Sequence, residues 1–175
     1  DNTHRVVLVT GGSTGIGKAI CEAFAVSGAQ VISADVVAPS PTEVSQNVAF
    51  RQTDTSSEQD CQAVVNWTIE QFGGLDVLVN NAAIQPRTSY VPIDQLDAKD
   101  LERMTSVNFF GYAYMAKYAL RQMKSQRSGV LVNLASGQAH RTARQVPVYG
   151  PLKAANILQA MQWGVEYARD GIRVV

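Results

Sequence analysis

Eight residues near the start of the chain, Thr10 to Gly17 (TGGSTGIG), constrain its fold more than any other stretch. They follow the apolar run Val6 to Val9 and open a helical pattern, so a strand must end in a tight turn at the N-terminus of a helix. Gly11, Gly15 and Gly17 carry no side chains, which lets the backbone approach an anion such as a pyrophosphate at that helix terminus. A second mark follows. Asp35 closes the next apolar stretch, Val31 to Ala34, and lies 18 residues past Gly17. That is where a carboxylate meets the ribose hydroxyls of NAD and repels the additional phosphate of NADP.

The rest of the chain repeats the alternation. Short apolar runs at Val6 to Val9, Val31 to Ala34, Val48 to Arg51, Leu75 to Val79, Val130 to Leu134 and from Ile172 predict six strands. Longer periodic stretches at Gly15 to Ser27, Ser57 to Phe72, Leu96 to Lys124 (as two helices) and Val148 to Arg169 predict the helices between them. Strand, helix, strand in repetition makes one α/β domain over residues 1–175, a doubly wound parallel sheet in three layers with right-handed crossovers. Ligands then bind at the carboxyl ends of the strands. Ala38 to Thr42, with Pro39 and Pro41, reads as a surface loop.

Composition excludes several classes. Fifteen basic and fifteen acidic residues give no net charge and no charged run, so a nucleic-acid partner is not expected. No run of 18 apolar residues exists and the start lacks a signal peptide's apolar core, which reads as a soluble cytoplasmic protein with no membrane partner. Cys21 and Cys61 stand 40 residues apart without a Cys-x-x-Cys, and are expected to be buried thiols in a reducing compartment, with no metal site. Phe109 to Leu120 and Leu152 to Ala168 are apolar around most of their circumference. Either their aromatics fill one large core, or each helix buries a second face against another subunit.

The predicted topology gathers distant residues at one sheet edge. Asn80 to Ala83 end the fourth strand, Ser136 follows the fifth, and Tyr149 and Lys153 begin the next helix. Their four-residue spacing places ammonium and phenol on one helical face. A tyrosine base working near neutrality needs its pKa of about 10 lowered by ~3 units, about 4 kcal/mol. A cation ~5 Å away at an effective dielectric of ~20 supplies ~3 kcal/mol of that.

Taken in order, TGGSTGIG at Thr10 to Gly17, Asp54 after the third strand, NNAA at Asn80 to Ala83, Asn108, Ser136 and Tyr149-Gly-Pro-Leu-Lys153 resemble the short-chain dehydrogenase/reductase family nearly end to end. The resemblance implies a Rossmann-fold oxidoreductase that moves hydride between a nicotinamide cofactor and an alcohol or ketone. It implies Tyr149 as acid/base, Lys153 to lower its pKa and hold the nicotinamide ribose, Ser136 to orient the substrate oxygen, and Asn108 to anchor a water through which protons leave. Cofactor contacts are implied for Gly11, Ser13, Thr14, Gly15, Ile16, Gly17, Asp35, Asp54, Thr55, Asn81, Ala82, Ala83, Tyr149 and Lys153, with Asn80 supporting the central strands. Thr14 and Val36 stand where NADP-preferring members carry basic residues, which favours NAD. A homodimer or homotetramer through helices near 105–124 and 148–169 is implied as well.

Three departures stand against that pattern. Pro151 falls between Tyr149 and Lys153 and is tolerable in a first helical turn. NNAA replaces the usual NNAG. The chain stops at Val175, as the sixth strand begins, whereas the family continues into a substrate lid; this reads as a fragment or an incomplete sequence. A non-catalytic NAD(P)-binding sensor on the same fold is the alternative function. A hydrolase using Ser136 and His140 is disfavoured, because LASGQ lacks the Gly-x-Ser-x-Gly elbow. Gln85, Arg87, Gln138, His140, Arg144 and Gln145 are expected to line a polar substrate mouth suited to a sugar, polyol or hydroxy acid.

Overall fold

The computed structural model describes residues 2–39 and 47–175. Six strands, β1 (Val6–Thr10), β2 (Gln30–Asp35), β3 (Val48–Gln52), β4 (Val77–Asn80), β5 (Gly129–Asn133) and β6 (Ile172–Val174), form one sheet in the order β3-β2-β1-β4-β5-β6. Every pairing is parallel. The order reverses between β1 and β4, which opens a crevice beyond their carboxyl ends. This is the doubly wound α/β arrangement expected from the strand and helix alternation.

Alternating side chains feed two cores. Leu8, Ile32, Leu78 and Leu131 pack with Val64 and Val65 of α2 (Glu58–Phe72) and with Met115, Ala119 and Met123 of α4 (Gly111–Gln126). Val7, Val9, Val31, Val77 and Val79 pack on the other face with Cys21 and Ala25 of α1 (Gly15–Val26). The two cysteines lie in different cores, both buried and unpaired, and burial pushes each thiol up to about 12.

Local chemistry fixes the element ends. The Ser57 hydroxyl accepts from the Asp60 amide at the start of α2, and Gly73 closes that helix in a left-handed turn. Leu75 and Asp76, expected within the fourth strand, precede it. The Leu75 amide and carbonyl are both held by the Gln126 side chain, and the Asp76 carboxylate accepts from the Val6 amide. Leu134 likewise lies just past β5. Of the predicted surface loop, Ser40 to Thr42 lie outside the described residues.

The stretch expected to be two helices between Leu96 and Lys124 forms one unbroken rod. Asp97 caps α3 (Ala98–Thr105), which runs through a π-helical turn, Ser106–Phe110, directly into α4. The backbone stays right-handed helical at Thr105, Ser106, Phe110 and Gly111, so the two segments join by widening one turn rather than by a loop. The last helix, α5 (Tyr149–Tyr167), carries Pro151 in its first turn, where no intrahelical N–H is needed.

Candidate active site

A groove of about 490 Å³ lies over the crevice between β1 and β4. It is lined by Gly11, Thr14, Gly15, Ile16 and Gly17 of the glycine loop, by Asp35, Asp54 and Thr55, by Asn81 to Ala83, and by Tyr149. Gly11 and Gly15 take positive φ values of +64° and +54°, which swing the loop open before α1. Thr14 precedes α1 without capping it through its side chain, and no acidic residue occupies the first turn. The uncapped amides and the positive helix end therefore face the groove. A Cβ on Gly17 would sit 2.0 Å from the Gly11 carbonyl oxygen, so the loop closes on itself only with glycine there.

Hydrogen bonds hold this cradle. Asn81 Nδ2 donates to the carbonyls of Thr10 at 2.8 Å and Gly11 at 3.2 Å. Thr10 Oγ1 accepts from the amides of Asn81 and Ala82. The Asp35 carboxylate accepts from the Ser13 amide at 3.0 Å and the Val37 amide at 3.3 Å, which fixes it at the end of β2. Ser13, expected to touch the cofactor, is buried behind the loop, and its hydroxyl has no protein partner. Asp54 accepts from the Ser56 amide and hydroxyl. A glycine cradle, an uncapped helix terminus and an acid at the next strand end fit a dinucleotide's pyrophosphate and ribose.

The family model of short chain dehydrogenases matches residues 5–175. The chain belongs to that family. An oxidoreductase of Thermotoga maritima, itself uncharacterised, is 36% identical over 177 residues, covering 97% of this chain and 68% of the relative. Among solved structures, levodione reductase superposes with a TM-score of 0.92 at 31% identity, covering 98% of this chain and 69% of that one. NAD+-bound xylitol dehydrogenase gives 0.89 at 26% identity, covering 98% and 68%. As a short-chain dehydrogenase the protein is an oxidoreductase of the NAD(P)-binding Rossmann type. No helix among the described residues is long and apolar enough to cross a membrane.

In this short-chain dehydrogenase the remaining expected site residues divide between groove wall and interior. Asn108 sits in the π turn, fully buried, with Oδ1 accepting from the Ile84 amide and Nδ2 donating to the Ile84 carbonyl, both at 2.8 Å. Ser136 caps the short turn Gly137–Ala139 by accepting from the Gln138 amide. It lines a neighbouring open depression with His140, not the groove itself. Asn80 points inward, where Nδ2 donates to Asn133 Oδ1 and the Tyr112 carbonyl.

Lys153 is 2% exposed, and its Nζ lies 5.8 Å from the Tyr149 ring centre. Burial pushes its ammonium down to about 8. Tyr149 is held above its ordinary value, first by burial and then by the nearby Tyr90 phenol. Desolvation thus sets the direction for Tyr149 in the protein without cofactor.

Of the residues expected at a polar mouth, Gln138 and His140 line the depression that holds Ser136. A cavity of about 450 Å³ beside the start of α5 is walled largely by Val91, Pro92, Ile93, Ala143, Val146 and Pro147. Gln138 and Gln145 join this wall, whereas Gln85, Arg87, His140 and Arg144 do not. Arg103 and Val107, unremarked in the sequence, line the same groove as the glycine loop because the rod beginning at α3 runs along it. A helical period could place them on one face, but only the fold says which face meets the groove.

Proposed function

We propose that the protein is an NAD-preferring dehydrogenase of secondary alcohols and ketones, with Tyr149 as acid/base. One observation carries this reading: a single groove leads from the glycine cradle past Asp35 to Tyr149, with the Lys153 ammonium close behind that phenol. Gly11, Thr14 to Gly17, Asp35, Asp54, Thr55 and Asn81 to Ala83 would hold the dinucleotide, Ser13 acting through Asp35. When bound, its nicotinamide supplies or accepts the hydride. A carbonyl seated against Ser136 takes the Tyr149 hydroxyl proton as its carbon is reduced, and the raised phenol is protonated for that role. In the reverse direction the tyrosinate takes the alcohol proton, a form the Lys153 charge favours. Asn108 anchors the turn that carries it against Ile84, and so sets the groove floor.

Asp35 supports NAD over NADP. Its carboxylate is pinned by two backbone amides and cannot swing aside for a phosphate. Titration with NADH and NADPH, read by nucleotide fluorescence and thermal stabilisation, should show NADH bound at least about tenfold tighter, a difference of ~1.4 kcal/mol. Asp35→Ser should narrow that ratio. Equal affinities would end the NAD preference, and binding of neither would end the dinucleotide reading.

The mainly apolar cavity beside α5 supports a ketone or alcohol with an apolar body over a fully hydroxylated sugar. Association through the last two long helices is also supported. Leu158, Met161 and Val165 form an exposed stripe on α5, and Phe110 is exposed on the π turn that packs against that helix. Replacing Leu158 and Val165 by Arg together should convert a dimer or tetramer to monomer in light scattering; an unchanged mass would refute this surface.

A further inference from the structure

The residue that grips Lys153 is a second tyrosine. Tyr112, in the first turn of α4, is 1% exposed and its hydroxyl donates to the Leu134 carbonyl at 3.1 Å. Lys153 Nζ donates to that same hydroxyl oxygen at 2.8 Å and to the Leu134 carbonyl at 2.7 Å. The ammonium also stands 4.7 Å from the Tyr112 ring centre, nearer than to the Tyr149 ring. Lys153 is thus clamped from α4 and from the end of β5, with both tyrosine rings within 6 Å of its ammonium.

Building on the dehydrogenase reading, we propose that Tyr112 is a positioning residue for Lys153, its buried hydroxyl accepting from the ammonium so that the charge stays in place next to Tyr149. The titratable groups facing Lys153 are Tyr112 from α4 and Tyr149 from its own helix; Tyr90 faces Tyr149 in turn, and β5 brings the neutral Leu134 carbonyl. Burial is what destabilises the ammonium, so each acceptor and ring face in the clamp counts toward keeping it charged. The Tyr112 phenol serves as a neutral acceptor throughout, because burial raises it well above the usual tyrosine range.

Loss of this one oxygen has a defined sign. Tyr112→Phe keeps the ring face and the volume but removes an acceptor from the ammonium, which lowers the Lys153 pKa and raises that of Tyr149. The alkaline-rising limb of alcohol oxidation should move up by about one pH unit, a loss of roughly tenfold near pH 7 that recovers at high pH. A tyrosine that merely filled the core would change stability and leave the pH profile where it was.

The test uses the full-length enzyme with NAD+ and its best alcohol, measuring kcat/KM from pH 6 to 10 for wild type and Y112F. In parallel, NMR of 13Cε-labelled lysine, with the Lys153 signal assigned by K153R, follows the ammonium itself without need of turnover. Incorporation of 3-fluorotyrosine at position 112 weakens the acceptor at nearly constant volume, and should shift both readouts the same way by less. A Lys153 titration that does not move in either variant overturns the proposal, even if the enzyme is fully active. Wild type that fails to oxidise any alcohol, with Lys153 shifted as expected, would overturn the dehydrogenase reading while the clamp stands.

Discussion

Tyr149→Phe should reduce turnover by about a thousandfold and leave NADH affinity within about twofold of wild type. The substitution removes one oxygen from a half-buried ring at the end of the groove, and a phenyl ring fills the same space. General acid–base catalysis contributes roughly 10²- to 10⁴-fold, so about a thousandfold, or ~4 kcal/mol of barrier, is the middle of that range. Steady-state kinetics with a ketone and NADH, beside a binding titration, separates the two quantities. Retained turnover would remove Tyr149 from the chemistry and favour a protein that only senses the dinucleotide. Loss of both binding and turnover would instead mean that the ring shapes the groove.

The second large effect belongs to the glycine loop, where two neighbouring positions should behave differently. A methyl group on Gly17 meets the Gly11 carbonyl oxygen at 2.0 Å and Asn81 Nδ2 at 2.6 Å. Neither can retreat easily, since Asn81 is the bracket that ties the loop to β1. Gly17→Ala should therefore cost about 3 kcal/mol of stability and weaken NADH binding by more than about tenfold. Gly15 has open space around its Cβ position but a φ of +54°. Gly15→Ala should cost only the left-handed penalty, about 1 kcal/mol. Chemical denaturation of both variants checks the contrast; equal losses would mean that flexibility, not contact, governs the loop.

These expectations rest on features that were unevenly legible in the sequence. Strands β1, β2, β4 and β5 were readable because each is an apolar run ended by glycine, asparagine or aspartate, and parallel strands covered on both faces need no polar alternation. The cradle was readable because glycine spacing reports backbone geometry directly. Tyr149 and Lys153 were readable as a pair, since four residues on a helix fix their shared face whatever surrounds them. Tyr112 was not, because a tyrosine inside FFGYAYMAKYAL is one of several aromatics and nothing local distinguishes the one whose hydroxyl meets Lys153. The apolar cavity beside α5 was not legible for a related reason: Val91, Ile93, Ala143 and Val146 come from separate loops, and composition does not tell a lining residue from one that faces solvent. Desolvation of Tyr149 likewise depends on burial, which spacing does not report.

The π turn at Ser106–Phe110 also has a bearing on phase. Counting about 100° per residue from Met104, buried on α3, the buried residues Tyr112, Met115, Ala116, Ala119, Leu120 and Met123 of a straight α-helix would centre roughly 90° away from it. Accommodating one more residue in a single widened turn removes about that angle, so both segments present their buried sides in the same direction. The rod therefore behaves as a helix with one inserted residue, and that insertion carries Asn108 while keeping everything downstream in step with the sheet.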